Sequence, residues 1–221
     1  MPGPAILLAH GFSSSAEASW KRNGWLDILA DTGRQVIAPD MLGHGDAPKP
    51  HDPAAYEAME DTVAGLVDGV TDAVGFSMGA RLVLAIEAQR PGTFRRIVAG
   101  GVGANLFAVA RNPSVVADAL EGKAEVLDPL SRAFVSVANT PPNDPLALAA
   151  CLRRTQPHID WSAIRCPVLV VVGDKDTIAV PPDQLLDSLP DARLQMVKGA
   201  DHLGTMKGFG FLDAAIDFIS A

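Results

Sequence analysis

The chain has 221 residues, 48% of them hydrophobic and 20% charged, with a formal net charge of −8. That length suits one domain with a substantial core, or one domain plus a modest insertion, and the balance is globular rather than disordered. An acidic surface repels phosphate backbones, so nucleic acid is excluded as an expected partner and the charge is read as serving solubility. The two cysteines, Cys151 and Cys166, form no Cys-x-x-Cys pair and no disulfide framework. They are expected to be small buried thiols of a reducing compartment. The first ten residues lack a basic segment, and their apolar run is too short for a signal peptide or a membrane span. A cytoplasmic protein with no membrane partner is the expectation.

Short apolar runs alternate with longer amphipathic stretches, the pattern of βαβ units and a parallel sheet. Ala5 to Ala9 reads as the first strand, ending at His10-Gly11. The spacing from Trp20 to Ala30 predicts a helix stopped by Gly33. Val36 to Ala38 reads as the second strand, closed by Pro39-Asp40 and the loop Gly43-His44-Gly45. Met59 to Val70 is read as a helix, Asp72 to Val74 as a short third strand, and Met78 to Gln89 as a helix ended by Pro91-Gly92. Arg96 to Gly100 supplies a fourth strand. Pro167 to Gly173 is the clearest strand, its unbroken apolar run suiting burial on both faces. Arg193 to Val197 gives a sixth, and Phe211 to Ile219 an amphipathic closing helix.

Residues 104–162 interrupt this rhythm. Helical patterns at Val115 to Leu120, Leu130 to Val137 and Leu146 to Leu152 flank the Pro-rich stretch Thr140 to Pro145, with no buried-strand run. The division expected is a core of residues 1–103 and 163–221 with a helical lid at 104–162.

Gly75-Phe76-Ser77-Met78-Gly79 matches the G-x-S-x-G nucleophile elbow. A strand turning sharply into a helix holds its serine in a strained conformation, and the crowded turn tolerates only small residues two positions away. The helix that follows brings its dipole and the Met78 N–H beside a developing oxyanion. Its placement between a predicted strand and a predicted helix strengthens the pentapeptide. A serine needs a base, and the base an orienting acid. His202 follows the sixth strand, and Asp174 and Asp176 follow the fifth. The order Ser, Asp, His is that of this motif's fold, and all lie at carboxyl ends of predicted strands, where open α/β sheets place their sites.

The chain resembles the α/β-hydrolase superfamily, in its lid-bearing esterase and lactonase branch, over nearly its whole length. The marks are His10-Gly11-Phe12, Asp40-Met41-Leu42-Gly43-His44-Gly45, the elbow, Gly173-Asp174-Lys175-Asp176 and Asp201-His202. The resemblance implies Asp176 as the acid, with Asp174 stabilising its loop. Some relatives carry the acid after the preceding strand, but residues 100–105 hold no carboxylate. It also implies an oxyanion hole from the backbone N–H groups of Phe12 and Met78, and a structural role for His10. Full-length relatives begin with an antiparallel strand pair for which there is no room before His10. The fold implied is therefore a three-layer α/β-hydrolase fold trimmed to six parallel strands, ordered second, first, third, fourth, fifth, sixth, under a short helical lid.

His44, His51 and His158 have no nucleophile or ligand partner at recognisable spacing and are read as ordinary loop histidines. No cluster has zinc spacing, and Gly100-Gly101-Val102-Gly103 lacks a dinucleotide fingerprint, so no metal and no cofactor is expected. The Gly-rich stretch Leu203 to Gly210 is read as a mobile loop. Among the lid's apolar residues (Leu106, Phe107, Val109, Leu130, Phe134) some should line a pocket, favouring a small ester-like substrate with an apolar group. The leading functional reading is a carboxylic-ester hydrolase whose activity rises with pH as His202 loses its proton. The same triad could serve thioester, lactone or carbon–carbon hydrolysis, and a non-catalytic ligand sensor could also keep it. Dehalogenase and epoxide-hydrolase chemistry, which in this superfamily uses an aspartate at the elbow, fits less well.

Overall fold

The computed structural model describes residues 3–107, 113–126 and 129–221. Its sheet has six strands: β1 (Ala5–Ala9), β2 (Val36–Ile37), β3 (Thr71–Phe76), β4 (Phe94–Gly100), β5 (Val168–Gly173) and β6 (Ala192–Val197). They pair in the order β2-β1-β3-β4-β5-β6, every pair parallel, as the resemblance implied. Alternate residues point to opposite faces, and the sequence supplies apolar side chains to both. Leu7, Ala73, Ile97, Val168, Val170 and Val172 enter one core, against the helices at Met59–Ala64 and Met78–Gln89. Ile6, Leu8, Val74, Val98, Leu169 and Val171 enter the other, with Trp20, Trp25 and Phe211.

The helices in chain order are α1 (Trp25–Ala30), α2 (Met59–Ala64), α3 (Met78–Gln89), α4 (Pro113–Leu120), α5 (Pro129–Ala138), α6 (Pro145–Arg153), α7 (Asp183–Ser188), α8 (His202–Lys207) and α9 (Phe209–Ser220). Three expectations need correction. The helix expected from Trp20 is broken: a short turn at Glu17–Lys21 ends before α1, with Gly24 at φ 77° between them. Five residues apart, Trp20 and Trp25 would face different directions on one helix. The break lets both indoles enter the same core, edge to face with centroids 5.0 Å apart. The second expected helix stops at Ala64, where Gly65 and then Gly69 (φ 77°) end it. The Gly-rich stretch after His202 is helical rather than a loop. Asp201 caps α8 by accepting from Gly204 N at 2.7 Å, and Thr205, Met206 and Phe211 are buried. Cap and burial outweigh the helix cost of about 1 kcal/mol for each glycine.

Between β4 and β5, α4, α5 and α6 share a small core of Ala117, Leu120, Ala138, Leu148 and Ala149, matching the three helical patterns read there. Val109 lies outside the described residues, and so does the side chain of Leu130. Asp144 starts α6 by accepting from Leu146 N and Ala147 N. At the far end, Arg154 makes a bidentate pair with Glu60 of α2 at 2.8 Å on each arm. Both thiols are buried, which pushes Cys151 up to about 11 and Cys166 up to about 12, so neither is ionised at neutral pH. No described helix is long and apolar enough to cross a membrane.

A buried charge cluster ties the closing helix to the sheet. Asp72 of β3 is fully buried and accepts from Arg95 at 2.8 and 2.9 Å and from Arg34. Both arginines also donate to the carbonyl of Ile219, and Arg96 donates to that of Phe218. The last carbonyls of α9 thereby gain cationic donors where the helix dipole favours them. Replacing the carboxylate leaves two guanidinium groups facing each other, one of them nearly buried. Asp72→Ala should therefore lose about 3 kcal/mol, read from urea unfolding midpoints at neutral pH. A loss below 1 kcal/mol would contradict this reading of the cluster.

Candidate active site

Ser77 stands between the end of β3 and the start of α3, with φ 53° and ψ −111°. L-residues rarely occupy positive φ, and holding one there costs on the order of 1–3 kcal/mol. The surroundings impose it. Ser77 N donates to Gly100 O at 2.8 Å, and Ser77 O accepts from Arg81 N at 3.0 Å. A Cβ on Gly79 would lie 2.0 Å from Ala9 O, and one on Gly75 would lie 2.6 Å from Ala80 N. Neither position admits any side chain, so α3 packs directly on the ends of β1 and β3. The two glycines of the pentapeptide are thus requirements of close backbone approach.

Three side chains from distant segments meet at this turn. His202, the first residue of α8, places Nε2 3.1 Å from Ser77 Oγ and Nδ1 2.7 Å from Asp176 Oδ2. Asp176 lies just after β5, fully buried, and its other oxygen accepts from Ile178 N at 2.9 Å and Ala179 N at 3.1 Å. Burial alone would raise its pKa, but the hydrogen bond and charge of His202 and the two N–H donors outweigh it, holding Asp176 below the usual carboxylate range. An ionised Asp176 can only accept, so Nδ1 carries the proton and the Nε2 lone pair faces the serine hydroxyl. Asp174 does not join them; it accepts from Gly199 N at 2.6 Å and ties the β5 loop to the β6 loop.

Met78 is the first residue of α3, where an N–H has no intrahelical partner. The His10-Gly11-Phe12 turn runs alongside, and a Cβ on Gly11 would stand 3.6 Å from Ser77 Cβ. Met78 directly follows the serine, and Phe12 follows Gly11 in that turn. His10 is wholly buried, donates from Nδ1 to Gly11 O at 2.8 Å, and accepts at Nε2 from Met41 N at 3.0 Å. It joins the β1 loop to the β2 loop, and burial lowers its pKa.

His44 corrects the reading of an ordinary loop histidine. It is fully buried, 5.2 Å from the His10 ring and edge-on to Phe12 at 5.7 Å. Burial, with His10 beside it, lowers its pKa to about 3, leaving the ring neutral. Nδ1 donates to Leu42 O at 3.0 Å, and Nε2 has no hydrogen-bond partner. The available signal was its two flanking glycines, both at positive φ, which mark a tightly folded loop. His51 also has a partner, Asp144 at 2.9 Å, while His158 is exposed. Of the insertion's apolar residues, Phe134 reaches the site, with its ring 6.5 Å from that of His202. Leu106 and Phe107 pack against the main core instead. Among the described residues, no group of three His, Cys, Asp or Glu side chains is arranged to hold a metal ion.

The profile of the alpha/beta hydrolase family matches residues 6–217. The chain belongs to that family. An uncharacterized protein of Mycobacterium tuberculosis is 28% identical over 246 residues, covering 90% of this chain and 70% of that one. A pimeloyl-[acyl-carrier protein] methyl ester esterase of Neisseria meningitidis is 28% identical over 200 residues, covering 76% and 75% of the two chains. Among solved structures, the enol-lactonase of Burkholderia xenovorans superposes with a TM-score of 0.72 at 20% identity, covering 99% of this chain and 92% of that one.

Within this family member, Asp176 contributes to stability through its depressed pKa. That contribution is complete above the unfolded carboxylate value of about 3.9 and disappears as pH falls through the lower folded value. Asp176→Asn should unfold at lower urea concentration than the native chain at pH 7, and the gap should narrow as pH drops below about 4. A gap that widens with acidification would contradict the assigned direction.

Proposed function

We propose that the chain is a serine hydrolase that cleaves a small carboxylic ester through an acyl-enzyme. The observation that carries the reading is the continuous hydrogen-bonded chain from Ser77 Oγ through His202 to buried Asp176. In this scheme Ser77 Oγ attacks the ester carbonyl while His202 Nε2 takes its proton. The tetrahedral oxyanion is met by the N–H groups of Phe12 and Met78, the donors that the scheme requires before charge develops. His202 then returns the proton to the leaving alkoxide, the carbonyl reforms, and the alcohol departs. Water, deprotonated by the same imidazole, releases the acid. Asp176 holds the ring in the required tautomer and offsets the charge of the imidazolium. The scheme needs no cofactor.

The Neisseria relative's name favours an ester over the other bonds that the same residues could attack. The partly exposed Phe134 ring, 6.5 Å from that of His202, favours an apolar group on the substrate. Two buried, unpaired thiols suit a reducing, cytoplasmic setting.

The test is turnover of p-nitrophenyl acetate and butyrate by the native chain and by Ser77→Ala. The substitution should lower kcat by about 10⁴ or more, and an organophosphonate should add one adduct on the peptide carrying Ser77. Turnover that survives Ser77→Ala would overturn the assignment. One slow turnover with retained ligand would favour a ligand sensor instead.

A further inference from the structure

The side chain of Phe12 belongs to a different part of the molecule from its backbone. Its backbone follows Gly11, which approaches Ser77, and in the proposed scheme its N–H is an oxyanion donor, yet its ring packs against the small core shared by α4, α5 and α6, together with Val116 and Val135. Every other residue of that cluster comes from the insertion between β4 and β5. On one side the ring meets Phe134 of α5, 6.3 Å between centroids at 65°. On the other it meets the buried edge of His44 at 5.7 Å and 79°. Phe134 also stands at 72° to the ring of His202, so one residue of α5 touches both halves of the proposed machinery. A polar tie lies alongside: Asn143 donates from Nδ2 to Val137 O at 3.0 Å and to Ser13 O at 3.4 Å. Ser13, the residue after Phe12, is held at φ 54°, a conformation that persists only where surrounding contacts impose it.

We infer that the Phe12 ring is the positioning group through which the helical insertion aligns the oxyanion donor, with Phe134 as its contact. This rests on the serine-hydrolase reading. A peptide N–H is fixed by the same Cα that carries the ring, so clamping the ring between His44 and Phe134 limits rotation of the donor. An oxyanion donor acts only near hydrogen-bonding distance, and removing one costs about 10²–10³ in kcat. A donor left loosely held should lose part of that. The contact is apolar and remote from the carbonyl, so its loss should fall on the transition state rather than on ground-state binding.

The experiment compares Phe12→Leu, Phe134→Leu and the double variant, with Val137→Ala, an exposed position of α5, as control. Rates on p-nitrophenyl acetate and hexanoate are normalised to sites titrated by an organophosphonate, so misfolded protein is not counted. Each single substitution should lower kcat about tenfold on both esters, with KM changed less than about twofold. The double variant should be no worse than the poorer single one, because both break one linkage. Affinity for a small boronic acid, whose tetrahedral adduct on Ser77 occupies the oxyanion site, should fall by the same factor. A loss confined to the hexanoate ester, or a rise in KM at constant kcat, would make Phe134 a pocket wall and overturn the proposal. Multiplying losses in the double variant would overturn it too. Should Phe12→Leu not fold, Phe134→Leu and Phe134→Ala carry the test by the same readouts. Ser77→Ala run alongside separates the two readings. A serine-dependent rate indifferent to Phe12 and Phe134 removes this proposal alone, and a serine-independent rate removes the hydrolase reading beneath it.

Discussion

Helix α3 approaches the ends of β1 and β3 so closely that no side chain fits at Gly75 or Gly79, and this contact governs the geometry around it. With α3 seated there, the chain has one residue in which to leave the strand and enter the helix. That residue is Ser77, at positive φ. The strain is held by the Ser77–Gly100 backbone bond and by cores on both faces of the sheet. A serine projected in this way stands clear of the sheet, where groups from the β1, β5 and β6 loops converge on it. The parallel strand order decides which loops those are, since β1 and β4 flank β3 and β5 and β6 follow.

Around that turn, charge is managed by burial and pairing. Asp176 is held below the usual carboxylate range while fully buried because three groups oppose the cost of burial: the His202 imidazole, by hydrogen bond and charge, on one oxygen, and two backbone N–H groups on the other. Asp72 is buried and paired under a comparable constraint at the opposite end of the sheet, where Arg34 and Arg95 also hold the final carbonyls of α9. One cluster orients the His202 ring, and the other fastens the closing helix that buries Phe211 against Phe76 beneath His202. The interior of the sheet thus links structural and proposed catalytic charges through packed aromatic rings.

Strand positions were legible because β5 is buried on both faces and reads as a continuous apolar run, while β1, β3 and β4 carry shorter apolar runs. The elbow and the loop residues Asp176 and His202 were legible because backbone crowding and strand-end placement leave marks in composition. What escaped depended on tertiary contacts. Nothing local signals that Trp20 and Trp25 must share one core, which breaks the expected helix at Gly24. The glycines after His202 read as a loop because their propensity is poor, while the Asp201 cap and the burial of Met206 and Phe211 decide the outcome. His44 carried no spacing clue, since its neighbours His10 and Phe12 lie more than thirty positions away. Asp174 and Asp176 differ by two positions and strand-end placement alone admits both; the resemblance implied Asp176, and Asp176 is the one that faces the imidazole. Phe134 was one of several apolar insertion residues, and its helix packing selects it.

The account's central claim is that Ser77 Oγ becomes covalently acylated during turnover. The most direct measurement is rapid mixing with excess p-nitrophenyl acetate, followed by acid quench and mass spectrometry of the digested chain. The account predicts a burst of p-nitrophenol approaching one equivalent per site wherever deacylation is the slower step, and an acetyl group on the peptide containing Ser77. Turnover with no acyl adduct after quenching at any time, or with the adduct on another residue, would contradict it.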